Sequence, residues 1–221
     1  MSRVVRVDPQ SLFPFRADPA EPSTVDRIRD AALRCFATRG VSGTSLRAVA
    51  EAADVSIGLV QHHFGTKARL VSAVEDHVLR VVGEAVASTP LPAPPEDSLA
   101  ELGHRVTSIM TDHPEVVGYV GRAMVDGDAI ASVIFDGLVT VSAAQWDQLA
   151  DHGLLSPGTD RTWAVLNPLI LVIGTVILRA QIDRHLPEPL ATGDQLRRWD
   201  DSVAALLRRG LLRHDPDGAP D

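Results

Sequence analysis

At 221 residues, with 45% hydrophobic side chains and no long low-complexity stretch, the chain can bury one large core or a small domain beside a larger one; extended and unstructured polymers are excluded. Its net charge of −8 argues against a protein coated in nucleic acid, although a total averages over domains. Its one cysteine, Cys35, excludes an intramolecular disulfide, and no basic segment with an apolar run follows Met1, so a cytoplasmic protein is expected.

Residues 1–22 carry Pro9, Pro14, Pro19 and Pro22 with no sustained period and read as a flexible arm. Ser23 with Asp26 forms a capping-box pattern. Ile28, Ala31, Ala32, Cys35 and Phe36 then make one apolar stripe on a helix that Gly40 stops. Cys35 lies on that stripe, which makes it a packing residue. Thr44 or Ser45 caps a second, short helix with Leu46, Val49, Ala50 and Ala53 facing inward. Asp54-Val55 is a short turn, Ser56 caps a third helix, and Phe64-Gly65-Thr66 ends it. A longer helix follows from Lys67 to Ala87, and the run Pro90–Pro95 marks a linker.

Everything after the linker reads as helix: Leu99–Asp112, Glu115–Val125, Ala129–His152, Arg161–Leu186 and Thr192–Arg213, with residues 215–221 as a disordered tail. Pro168 should kink the helix that contains it unless it falls in a first turn. The most apolar stretch, Ala164–Leu178, has 15 residues and includes Asn167, Pro168 and Gly174. A membrane span needs roughly 20, so this is a buried core helix and no membrane partner is expected. No alternating strand pattern appears, and the expected fold class is all-α.

Residues 24–70 hold seven basic and four acidic side chains, a balance of +3, which leaves −11 for the rest of a chain whose total is −8. That asymmetry suits a DNA-binding head on an acidic body. Two short helices joined by a tight turn, the second polar on its outer face, make a helix-turn-helix. On the third helix Val60 points to the core beside Val55 and Phe64. Ile57, Gly58, Leu59, Gln61 and His62 are left facing out. Gly58 lets the backbone approach DNA, Gln61 can pair with adenine, and Ile57 and Leu59 suit thymine methyls. His63 and Lys67, the only lysine, stand where phosphate contacts set the register. Thr44, Ser45 and Ser56 offer hydroxyls and helix-start amides to phosphates. Arg47 faces out and is either a solvated residue or a DNA contact. Adjacent His62 and His63 point in different directions, a poor geometry for a shared metal, so no metal is expected.

Residues 23–70 resemble the DNA-binding domain of the TetR family of one-component regulators. The resemblance rests on Phe36 and Gly40, on Thr44-Ser45-Leu46-Arg47-Ala48-Val49-Ala50, on Val55-Ser56 with Gly58, and above all on His63-Phe64 with Lys67 and Leu70. The family often has tyrosine where this chain has Gln61. The resemblance implies a homodimer joined through its last two long helices. It also implies a body over residues 71–214 that binds a small-molecule effector, and a repressor released from a palindromic operator in double-stranded DNA when that effector binds.

In the body, His104, Met110, Tyr119, Arg122, Trp146, Trp163 and Asn167 are candidates to line the effector pocket. Asn167 stands out as an amide expected to be buried and in need of a partner. Trp199 is expected at the dimer interface. The apolar helices suit an apolar or amphipathic effector. No nucleophile elbow, phosphate loop or metal cluster is present in the sequence, so neither enzymatic activity nor a cofactor is expected. A helical protein-interaction module, or an enzyme, without DNA binding is the competing reading.

Overall fold

The computed structural model describes residues 23–87 and 98–212. The expected arm, the Pro90–Pro95 linker and the tail lie outside the described residues. The fold is all-α. Its helices are α1 (Thr24–Arg39), α2 (Leu46–Ala52), α3 (Ile57–Phe64), α4 (Lys67–Ala87), α5 (Ser98–Asp112), α6 (Pro114–Asp126), α7 (Ala129–Asp151), α8 (Arg161–Ile177), α9 (Arg179–Asp183) and α10 (Gly193–Leu211). Among the described residues β pairing is limited to one bridge, Leu155 to Leu212.

Local chemistry explains most of the boundaries. The Ser23 hydroxyl accepts from the Asp26 amide at 3.1 Å and Asp26 reaches back to the Ser23 amide, so the expected capping box is present. Those contacts hold the Asp26 carboxyl below its usual range, with the Ser23 hydroxyl as the largest cause. Gly40 ends α1 at φ 72°, a conformation that costs most side chains energy. Ser45 rather than Thr44 caps α2, by accepting from the Ala48 amide.

One expectation needs correction. The helix anticipated over Arg161–Leu186 stops at Ile177, because Leu178 leaves helical geometry at ψ 9° before α9 restarts the chain. Pro168 is nevertheless taken up inside α8, buried against its neighbours. Trp199 is half-buried within the subunit, packed on the cluster of Met110, Leu190 and Leu196.

The largest core runs from the N-terminal helices into the body. Ile28 and Phe36 of α1, Val49 of α2, Val60 and Phe64 of α3 and Val74 of α4 join Val116 and Tyr119 of α6 and Ile134 of α7. A second cluster centres on Trp146, Leu149, Ala164 and Leu207. α7 is long and apolar enough to cross a bilayer by composition, but Ile134, Trp146 and Leu149 are spent on these cores and Ser142 donates to the Val165 carbonyl of α8.

Candidate nucleic-acid interface

The corner between α2 and α3 is fixed from three sides. Asp54 takes a left-handed φ of 55°, which aspartate tolerates better than most residues. The Val55 amide donates to Ala50 at 3.0 Å. From α1, the Arg27 guanidinium donates to the Ala53 carbonyl at 3.0 Å. α3 is then held by Val60 and Phe64, both buried, and capped by the Ser56 hydroxyl on the Leu59 amide at 3.2 Å.

This anchoring decides which side chains are offered outward. At 3.6 residues per turn, Gly58 and His62 lie opposite Val60 and Phe64, with Gln61 and His63 on either flank. All four are exposed, and Ile57 is 44% exposed. Leu59 is half-buried. A Cβ at Gly58 would meet nothing closer than the Ser56 hydroxyl at 3.8 Å, so its face is open to an approaching backbone. The His62 and His63 rings stand edge to face, 5.3 Å apart. Among the described residues no group of side chains could hold a metal ion. Gly65, at φ 68°, ends α3 and returns its amide to Gln61, which turns the chain directly into Lys67 at the start of α4.

Ser45, Arg47 and Ser56 are exposed and Lys67 is half-exposed beside the same surface. Thr44 is a correction. It is 2% exposed, and its hydroxyl donates inward to the Gly40 carbonyl at 2.9 Å, so it staples the α1–α2 loop and has no hydroxyl to give a phosphate. Sequence reasoning passed over Thr66 and Arg69, both exposed at the start of α4, where the Thr66 hydroxyl accepts from the Arg69 amide at 3.3 Å. The threonine three residues before Arg69 was a capping signal that could have found them.

The body holds a cavity of about 100 Å³ between α4, α5, α6, α7 and α8, lined wholly by apolar residues that include Val82, Ile109, Met110, Val117, Val120 and Val176. Of the seven pocket candidates only Met110 lines it. Tyr119 points away to the α1 side, its ring 6.5 Å from that of Phe36. Arg122 is exposed in an ion pair with Asp126 at 2.7 Å. Trp146 is core, Trp163 is 52% exposed, and His104 is exposed along the open groove between α4 and α5. Asn167 is exposed as well, so the premise of a buried amide fails: the apolar stretch around it turns that edge of α8 outward. No sequence signal separates the valines of the cavity from those of the cores.

α6 joins the two regions. Val117, Val120, Gly121 and Met124 face the cavity. Gly118 and Tyr119 press on α1, where a Cβ at Gly118 would lie 3.5 Å from Ala37. The Tyr119 hydroxyl is buried with no hydrogen-bond partner, and burial, then the carboxylates of Glu75 and Asp128, push it up to about 12. Burial likewise raises the Glu75 carboxyl, with Asp128 and Asp76 adding to it.

Residues 28–74 match the family described as bacterial regulatory proteins, tetR family. The chain is 31% identical over 134 residues to the HTH-type transcriptional regulatory protein RaaS of Mycobacterium tuberculosis, a match that takes in 61% of this chain and 60% of RaaS. It is 47% identical over 61 residues to the HTH-type transcriptional regulator BetI of Burkholderia thailandensis, covering 28% of this chain and 31% of BetI. The chain therefore spans less than two thirds of either relative. In structure it is similar to SmeT, the repressor of the Stenotrophomonas maltophilia multidrug efflux pump SmeDEF, with a TM-score of 0.64, 19% identity, and coverage of 90% of this chain and 96% of SmeT.

Proposed function

We propose that the chain, whose residues 28–74 match the family described as bacterial regulatory proteins, tetR family, is a sequence-specific DNA-binding transcriptional regulator of that family, a repressor released from a palindromic operator by a small molecule. The observation that carries this reading is the outer face of α3. Its buried side is locked by Val60 and Phe64, its corner is pinned by Arg27, and Gly58, Gln61, His62 and His63 are left to meet a major groove.

In this reading residues 23–70 are the DNA-binding head and residues 71–214 the ligand-binding and dimerisation body. Gln61, Ile57 and Leu59 read base edges, with Gly58 admitting the backbone. Ser45, Arg47, Ser56, His62, His63 and Lys67, joined by Thr66 and Arg69, hold phosphates and edges of the groove. Two copies associate through α8 and α10. That pairing is supported by the apolar side chains left outside on those helices: Trp163, Ile170, Leu171, Ile177 and Leu206 are each 36% exposed or more. The effector occupies the cavity under α6 and shifts that helix against α1, which moves the heads out of register with their half-sites. RaaS and BetI are transcriptional regulators, and no enzymatic role is proposed here.

The test is binding of the purified protein to random duplex DNA. An enriched inverted repeat, with half-sites about one helical turn or more apart, is expected. Retention of no sequence at low salt would remove this function.

A further inference from the structure

We propose that the effector is an amphipathic anion, an aliphatic chain that fills the cavity between α4 and α8 and carries its carboxylate to Arg179. The proposal rests on the regulator reading above and names the chemical class that reading leaves open.

The central cavity, about 100 Å³, offers no hydrogen-bonding side chain anywhere on its wall. A polar atom buried there would lose its water and gain nothing. For scale, a dry cavity of roughly 150 Å³ takes one benzene. The space therefore suits a stretch of slim chain and not a fused ring system.

A second space of about 40 Å³ adjoins it and shares Met110, Val117 and Val176 as common walls. Met110 has an unbranched, adaptable side chain, a partition that can swing aside for a chain. The rest of this second space is apolar except for one residue, Arg179, the sole charge on either wall. Its guanidinium is poorly engaged. Nε lies 3.9 Å from Asp183 Oδ2, the outer limit of an ion pair, and no closer partner is present among the described residues. Asp183 is itself committed, since its Oδ1 accepts from the Leu190 amide at 2.7 Å. Arg179, 44% exposed at the mouth of this space, thus keeps its terminal nitrogens available to a bidentate carboxylate.

The opposite end argues against a cationic head. A third space of about 40 Å³ shares Val106 and Val172 with the centre, and its one charged residue is Asp200. That carboxylate is packed onto the bare Cα of Gly103, where even a Cβ would collide with it, so an ammonium reaching it would meet the α5 backbone on one side.

The experiment titrates the full chain by calorimetry with octanoate, octanol and octylammonium, without DNA, and repeats it on Arg179→Gln. Octanoate is expected to bind, and Arg179→Gln to weaken it roughly fivefold while octanol is unchanged, the scale of a partly exposed ion pair. Val120→Phe, checked for folding by circular dichroism, should remove binding of both by filling the cavity. Tighter binding of octylammonium, an Arg179→Gln variant that treats octanoate as the wild type does, or no binding of octanoate would each overturn the proposal. Duplex binding by the same preparations separates the causes. Retained duplex binding with a failed octanoate titration condemns the ligand class alone, and loss of duplex binding at every salt concentration condemns the regulator reading itself.

Discussion

Gly121 of α6 lies against Val176 of α8 so closely that a Cβ on the glycine would stand 2.8 Å from Val176 Cγ1. The two residues also share the wall of the central cavity. The glycine thus sets the distance between the helix that touches α1 and the helix read here as half of the dimer interface.

Gly121→Ala should force those helices apart or drive Val176 off its rotamer. The expected cost is about 1–3 kcal/mol, the usual penalty for overpacking. Chemical denaturation checks it, and a variant as stable as the parent would mean that α6 can slide freely.

Tyr119 is the only tyrosine in the chain, and its buried hydroxyl has no partner. Tyr119→Phe removes the unsatisfied group and keeps the ring against Phe36. Stability should rise by about 1 kcal/mol. The same hydroxyl is pushed up to about 12, chiefly by burial. Because the unfolded chain loses this proton first, near the ordinary tyrosine value of about 10, the folded state gives up stability as pH climbs from there towards 12. Alkaline absorbance titration of the single phenol should show the late ionisation, and Tyr119→Phe should flatten that part of the stability profile.

Arg27 connects α1 to the α2–α3 corner through the Ala53 carbonyl. Arg27→Met keeps the stem and removes the donor. A loss of about 0.5–1.5 kcal/mol is expected, with duplex binding weakened alongside it because α3 loses its fixed angle. Thermal melts and fluorescence anisotropy with a labelled duplex read the two effects separately.

On α3 and the start of α4 the roles divide. Lys67→Ala should weaken binding to all sequences alike and reduce the slope of log affinity against log salt by about 1. Gln61→Ala should relax choice at one base pair by about 1–3 kcal/mol and leave the salt slope alone. Binding isotherms over a salt series with operator and single-site variants distinguish these patterns.

The elements were legible where a local signal writes its own boundary. The Ser23–Asp26 box, the positive-φ glycines at 40 and 65, and the span of α4 from Lys67 to Ala87 agree with the reading from residues. α8 was read too long because Leu178 breaks the helix with no glycine or proline at that point. Thr44 and Ser45 look alike in sequence, but the loop geometry buries one and turns the other into the cap. The cavity was hidden for a tertiary reason. Val116, Val117 and Val120 of α6 all line it, yet Val116 is also fully buried in the main core, so the wall of the cavity and the core share residues that only the packing of α6 between α1 and α8 brings together. Polar and aromatic residues attracted attention as pocket candidates, but the cavity that formed is aliphatic.

The most direct test of the central claim is selection of bound duplexes from a random DNA library by the purified protein, followed by sequencing. The account predicts an enriched inverted repeat whose enrichment is lost in a Gln61→Ala, His63→Ala, Lys67→Ala triple variant that still folds. Absence of any enriched sequence at low salt, or enrichment that survives the triple variant, would contradict it.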